Sequence, residues 1–160
     1  RLRDPNNGCP WDIRQDFASI APYTIEEAYE VADAIEIGDR TAICDELGDL
    51  LLQVVFHSRI AEEEGSFTLA DVAASVSNKM IARHPHVFGD ADRLDASEQS
   101  QRWENIKKAE RTAKGQNRIL DGIATGMPPL KRALKLQKRA ASVGFDWPDI
   151  SQIINKMKNV

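Results

Sequence analysis

The stretch E-E-A-Y-E-V-A-D-A-I-E-I-G-D-R-T-A-I-C-D-E-L-G-D, residues 26–49, decides the fold of this chain. Both halves have the apolar spacing of a helix and Gly38-Asp39 separates them, so the pattern predicts two helices, at about 24–37 and 40–64. A short connection makes the two helices antiparallel neighbours. Each helix carries carboxylates three residues apart, which lie on one face of a helix.

If these two acidic faces meet, they form a cluster of four carboxylates, Glu27, Glu30, Glu46 and Asp49. Such a cluster repels itself and needs compensation. A hard divalent cation with oxygen ligands, such as Mg²⁺, is the usual compensation. Ion pairs with an Arg or Lys of another helix are the alternative, and spacing alone leaves both open.

The composition is that of an ordinary globular protein of 160 residues with a formal net charge of -4, which argues against a general nucleic-acid binder. Only Cys9 and Cys44 occur, so no disulfide framework is expected and a reducing cytosolic setting fits best. No apolar run has the length of a membrane span. Because the chain begins with Arg1, we expect it to be an ordered piece of a longer polypeptide.

The remaining pattern is helical throughout and contains no convincing strand, which predicts an all-α fold. Cys9 and Trp11 should hold an irregular N-terminal arm to the core. Pro22 predicts the end of a short helix that begins at Asp12, and Thr24 then caps the next. The helix after Arg40 has so wide an apolar surface that it should be covered on several sides. Further elements are expected at these positions: a helix from Thr68 to about Arg83, a loop at 84–90, a polar helix at about 97–114, a linker at 115–129, a basic helix at 130–143 and the start of another at 150.

Lys79 and Arg83, four residues apart at a predicted helix C-terminus, have two interpretations. Cations there interact favourably with the helix dipole, and they can also bind phosphate. Beside an acidic metal cluster they would complete a polyphosphate site, because Mg²⁺ is commonly held by carboxylates together with substrate phosphates. Trp103 could stack on a base, or simply anchor its polar helix.

Six blocks of sequence carry a resemblance to a known family. They are L-R-D-P-N-N-G-C-P-W-D at 2–12, E-E-A-Y-E-V-A-D-A-I at 26–35, E-L-G-D-L-L-L-Q-V-V-F at 46–56, R-H-P-H-V-F-G-D at 83–90, W-E-N-I-K at 103–107 and V-G-F-D-W at 143–147. Along nearly its whole length the chain resembles the MazG family of nucleoside triphosphate pyrophosphohydrolases. The resemblance implies an all-α helical bundle related to the dimeric dUTPases.

What the resemblance implies about function is equally specific. It implies a cytoplasmic homodimer or higher oligomer that uses Mg²⁺, with Mn²⁺ able to substitute, to hydrolyse noncanonical or surplus NTPs and dNTPs to the monophosphate and pyrophosphate. A membrane or a nucleic acid is not an expected partner. Residues 1–114 would be the catalytic domain with its arm, and residues 115–160 a linker and the start of a following helical segment.

Carried over by position, the family's motif assigns a role to each candidate site residue. Glu27, Glu30, Glu46 and Asp49 would hold the metal, and either Glu26 or Glu30 would accept the proton of the attacking water. Lys79, Arg83, Trp103 and Lys107 would contact the nucleotide. Long members of the family carry two tandem copies of the domain, so the alternative is a catalytically weak copy that serves dimerisation or regulation.

Overall fold

The computed structural model of the chain describes residues 1–92, 94–146 and 149–158. In these ranges there are eight helices and no strand, which confirms the predicted all-α class. They are α1 Pro10–Ile13, α2 Phe17–Ile37, α3 Arg40–Glu63, α4 Leu69–Arg83, α5 Pro85–Phe88, α6 Ala96–Ala113, α7 Pro129–Ala141 and α8 Ile150–Lys158. No helix within the described residues has both the length and the apolar character needed to cross a membrane.

The chain divides into two compact units, Arg1–Asp90 with α1 to α5 and Ala91–Val160 with α6 to α8. Residues 91–114 therefore group with the residues that follow them. The predicted domain of residues 1–114 stays a prediction, since compactness alone does not test where a catalytic domain ends.

Helix α2 begins earlier than the sequence pattern predicts. Asp16 caps it by accepting a hydrogen bond from the backbone N–H of Ser19, whose hydroxyl group accepts one from the Asp16 N–H. Pro22 lies inside the helix, so the predicted break there is wrong. Proline removes the hydrogen bond to the Ala18 carbonyl, but Ala18 is exposed and water can take that carbonyl. Burial of Ile20, two residues before the proline, holds the helix to the core near this position.

Helices α2 and α3 form the antiparallel pair that the short connection predicts. Gly38 adopts a left-handed φ of 83°, which ends α2, and the Asp39 side chain accepts hydrogen bonds from the first backbone N–H groups of α3. The core between them consists of Ile20, Phe56 and Ile60, with Phe17 packed against it.

One face of α3 is not covered by the described residues of the first unit, contrary to the expectation of a helix covered on several sides. Leu47, Leu51, Val54 and Val55 recur at helical spacing and form this α3 apolar face. Leu47 is 49% exposed and Leu51 60% exposed.

Arg3, rather than Cys9 or Trp11, holds the N-terminal arm to the first unit. Its guanidinium group donates hydrogen bonds to the carbonyls of Asp12 and Gln15 and forms an ion pair of 2.6 Å with Glu63. The same group lies 5.4 Å from the centre of the Phe56 ring. Trp11 is 48% exposed. Its one aromatic contact within the described residues is an edge-on contact with Tyr23.

The remaining elements follow the sequence pattern with one difference. Helix α4 begins at the predicted cap, Thr68, and the predicted loop at 84–90 contains the single helical turn α5. In the second unit, residues 114–128 connect α6 to α7 without a helix. Arg139 on α7 donates to the carbonyls of Ile119 and Asp121, which ties this linker to α7. Trp147 of the V-G-F-D-W block lies outside the described residues.

Candidate metal centre

Three of the predicted metal ligands converge between α2 and α3. Glu27, Glu46 and Asp49 each offer a carboxylate oxygen, and these oxygens all lie within 4.8 Å of one another. Glu27 and Glu46 are half-buried and Asp49 is exposed. The two-residue connection sets the register of the helix pair, and the i, i+3 spacing on α3 directs both of its acids toward α2.

Glu30 lies beside this group, close enough to act on it electrostatically. Partial burial raises the pKa of Glu27, and the negative charges of Asp49, Glu30, Glu46 and Glu26 raise it further. Partial burial also raises the pKa of Glu46, together with the charges of Glu30, Asp49 and Asp45. Both carboxyl groups are therefore harder to ionise than ordinary glutamates, which indicates a concentration of negative charge without local compensation.

Ion pairs with internal cations would be one form of compensation. In the part of the chain that the structure describes, no Lys or Arg forms an ion pair with Glu27, Glu30, Glu46 or Asp49. Mg²⁺ binds oxygens at about 2.1 Å, so two ligands on opposite sides of the ion are about 4.2 Å apart. Small side-chain rotations would bring the three oxygens from within 4.8 Å to that separation. The cluster thus fits a hard divalent cation.

The polar face of α3 continues beyond the predicted acids. Gln53 is buried, 9% exposed, and its amide Nε2 lies 3.5 Å from Glu27 Oε1, at the long end of a hydrogen bond. One turn further, the ring of His57 hydrogen-bonds through Nε2 to Thr24 Oγ1 at 3.0 Å and stacks on Phe17. Neither residue is part of the predicted site, although the i, i+3, i+7 and i+11 spacing of a polar stripe along α3 could have indicated both.

The four predicted nucleotide-contacting residues lie on two helices. Lys79 and Arg83 are on α4 of the first unit, where Lys79 lines a shallow cavity with Phe67 and Asp71. Trp103 and Lys107 are on α6 of the second unit, and Lys107 forms an ion pair with Glu104. Lys79 and Arg83 thus belong to one compact unit and Trp103 and Lys107 to the other, whereas the three converging acids all belong to the first unit.

Fold and cluster together define an α-helical domain with a carboxylate centre between two antiparallel helices. Residues 15–88, which contain this centre, match the family model described as the MazG nucleotide pyrophosphohydrolase domain. Residues 15–88 therefore belong to the MazG family.

Three bacterial nucleoside triphosphate pyrophosphohydrolases are similar in sequence to 85% or more of the chain. It is 53% identical over 157 residues to the nucleoside triphosphate pyrophosphohydrolase of Escherichia coli K12, an alignment that covers 98% of this chain and 60% of that protein. It is 43% identical over 158 residues to the nucleoside triphosphate pyrophosphohydrolase/pyrophosphatase MazG of Thermotoga maritima, covering 99% of this chain and 60% of that protein. The nucleoside triphosphate pyrophosphohydrolase of Mycobacterium tuberculosis is 38% identical over 138 residues, covering 85% of this chain and 41% of that protein. The chain therefore spans 60% or less of the length of these relatives.

Proposed function

We propose that this chain hydrolyses nucleoside triphosphates, including deoxynucleotides and noncanonical ones, to the monophosphate and pyrophosphate in a reaction that depends on Mg²⁺. The observation that carries the proposal is the convergence of Glu27, Glu46 and Asp49 inside a MazG domain, with no cation paired to them among the described residues. The relatives named for this reaction support the same substrate class.

Each acid has a proposed task in this reaction. Glu27, Glu46 and Asp49 would hold Mg²⁺, with Glu30 completing the set, and Mn²⁺ has the oxygen preference to take its place. Bound there, the cation would neutralise phosphate oxygens and make a water more acidic. Glu26 or Glu30 would accept the proton of that water, since both are exposed carboxylates next to the cluster.

The basic and aromatic residues of the motif would bind the nucleotide. Lys79 and Arg83 supply positive charge for the triphosphate, which Arg can hold through two parallel hydrogen bonds. Lys107 would add a further phosphate contact and Trp103 a surface for stacking on the base. Such contacts recognise phosphate and the flat face of a base, which suits an enzyme that removes various surplus nucleotides.

We further propose that the chain acts as a homodimer in the cytosol. The α3 apolar face supports self-association, because a contiguous exposed apolar surface of this kind usually marks an interface. Both cysteines are free thiols, as expected in a reducing compartment.

The test is pyrophosphate release from a panel of NTPs and dNTPs with Mg²⁺ present. Asp49→Asn and Glu30→Gln should lower the rate by roughly 100-fold or more, because each removes a proposed ligand or base. Asp33→Asn, which changes an exposed acid of α2 outside the cluster, is the matched control and should keep the parent rate.

The same α3 apolar face favours the second candidate, a copy of the domain that serves dimerisation or regulation with little catalysis. A well-folded dimer that releases no pyrophosphate from any nucleotide would reject the hydrolase proposal and support this one. Mg²⁺ binding by that dimer, measured by calorimetry, would then show whether the acids retain a metal without turnover.

A further inference from the structure

The second unit contains a cleft whose lining residues, apart from Lys107, have no part in the proposed reaction. It lies between the C-terminal part of α6, the linker and α7, and every residue that lines it falls within 104–143. Its volume is about 710 Å³. Clefts of roughly 300–1,000 Å³ are the size of small-molecule sites in proteins.

The cleft is strongly basic. Its lining includes six cations besides Lys107: Lys108, Arg111, Arg118, Lys135, Lys138 and Arg139. Glu104, the one acid among the described lining residues, already forms an ion pair with Lys107. One carboxylate thus faces seven cations in the lining, and its charge acts on Arg139 as well as on Lys107.

This cleft lies in the positive part of an otherwise acidic chain. Residues 1–90 contain 7 Lys and Arg against 17 Asp and Glu, a net charge of -10, while residues 91–160 contain 14 against 8, a net charge of +6. The overall charge of -4 conceals this separation. A basic unit with a concave site indicates an anionic ligand more strongly than the composition of the whole chain does.

Two guanidinium groups in the cleft come close enough to oppose each other's charge. The pKa of Arg139 is lowered by partial burial and by the positive charge of Arg111. Arg139 is held in place by its hydrogen bonds to the carbonyls of Ile119 and Asp121. In the described part of the chain, neither arginine forms an ion pair, so an anion bound between them would relieve their repulsion.

We propose that this basic cleft binds a short polyphosphate, either inorganic or the phosphate chain of a nucleotide, without a divalent metal. None of the described lining residues is aromatic, so the cleft offers no surface for stacking the bases of a single-stranded nucleic acid. Six positive charges in a cleft of this size instead suit several linked phosphates, which Arg and Lys bind through charge-assisted hydrogen bonds. The site adds a second anion-binding function to the proposed hydrolysis.

The experiment is calorimetric titration of the 160-residue chain with inorganic tripolyphosphate at low ionic strength in the presence of EDTA. Without a divalent cation the acidic cluster repels phosphate, and binding that is lost on substitution of Lys138 or Arg111 reports the basic cleft. We expect saturable binding that weakens steeply with added salt. Lys138→Glu and Arg111→Gln should each weaken it by roughly tenfold or more.

Matched controls come from the same two helices. Lys131→Glu on α7 makes the same charge change as Lys138→Glu, and Arg102→Gln on α6 makes the same charge change as Arg111→Gln. Neither Lys131 nor Arg102 lines the cleft. Both should bind as the parent chain does, and so should Asp49→Asn, which removes a proposed metal ligand. Circular dichroism of every variant checks that the helices remain.

Titrations with other ligands identify the source of the phosphate chain and can contradict the proposal. Equal binding of tripolyphosphate and a nucleoside triphosphate means that the phosphate chain alone is recognised, and tighter binding of the nucleotide names it as the source. The proposal is overturned by absence of saturable binding, by parent-like binding in Lys138→Glu and Arg111→Gln, or by binding of a single-stranded oligonucleotide without either polyphosphate. None of these outcomes depends on whether the acidic cluster hydrolyses nucleotides.

Discussion

Glu46 shows how the acidic cluster strains the fold in the absence of a metal. Partial burial raises its pKa above the ordinary 4.5, and the charges of Glu30 and Asp49 add to the effect. The folded state therefore holds the proton of Glu46 more tightly than the unfolded state does. Ionisation of Glu46 opposes folding at pH values above its raised pKa, and this penalty disappears as the pH falls below about 4.5, where both states are protonated.

Glu46→Gln should accordingly raise the melting temperature of the metal-free protein at neutral pH. The advantage over the parent chain should shrink as the pH is lowered toward 4.5, since protonation removes the same charge. Thermal melting in EDTA across this pH range measures the difference. Adding Mg²⁺ should reverse the order at neutral pH, because only the parent retains all the acids that the cation stabilises. A Glu46→Gln protein less stable than the parent in EDTA would contradict the account.

At the scale of the helix, the continuation of α2 through Pro22 could not be predicted from the sequence. Proline weakens a helix locally, and on that ground alone α2 should have broken there. Whether the helix continues depends on tertiary contacts: Phe17 and Ile20, before the proline, pack against Phe56 of α3. The convergence of Glu27 with Glu46 and Asp49 was predictable, in contrast, because local spacing and a two-residue connection determine it.

Pro22→Ala should raise the free energy of unfolding by roughly 1–3 kcal/mol, because alanine restores the backbone hydrogen bond to Ala18 and favours the helix. Urea denaturation followed by circular dichroism gives this value. Pro5→Ala is the control, because Pro5 lies in the exposed arm outside any helix. Loss of a proline makes the unfolded chain more flexible, so Pro5→Ala should be neutral or slightly destabilising. A lower free energy of unfolding in Pro22→Ala would contradict this account and show that the proline stabilises the folded chain.

Arg3 could not have been predicted from the sequence, because its ion-pair partner Glu63 lies 60 residues further along the chain. Its side chain is 9% exposed and holds three groups of the first unit at once. Arg3→Met keeps most of the apolar stem but leaves the carbonyls of Asp12 and Gln15 without their donor. We expect the free energy of unfolding at neutral pH to fall by roughly 2–3 kcal/mol.

Arg59→Met is the matched control for Arg3→Met. Arg59 also pairs with Glu63, but its side chain is 50% exposed, and exposed ion pairs contribute roughly 0–1 kcal/mol. The hydrogen bond from Arg3 is the main reason why the pKa of Glu63 is lowered. That stabilisation is present above the ordinary value of 4.5 and is lost as the pH falls through the lowered pKa. The difference between the two variants should therefore shrink in acid, and the part that comes from the carbonyls of Asp12 and Gln15 should remain. Equal losses at neutral pH would show that Arg3 is no more than another surface ion pair.

For the whole molecule, the two proposed functions of α3, metal binding and self-association, lie on opposite faces of the helix. Leu51 belongs to the exposed α3 apolar face, whereas Asp49 belongs to the metal cluster, and two residues along a helix correspond to a rotation of about 200°. Association through the apolar face therefore leaves the acids directed toward α2. Self-association and metal binding should be separable by mutation.

Leu51→Glu tests that separation. Leu51 is 60% exposed, so a glutamate there can stay hydrated in the single chain, but it would place a charge in an interface formed by the α3 apolar face. We expect the parent chain to sediment as a dimer or larger oligomer and Leu51→Glu as a monomer. Leu130→Glu, at an 87% exposed position of α7, should remain associated like the parent.

Melting of the Leu51→Glu monomer should still shift upward with Mg²⁺, because all the acids of the cluster come from one chain. A parent chain that is monomeric at every concentration would reject the dimer, and a monomer that no longer responds to Mg²⁺ would show that the metal site needs the partner copy.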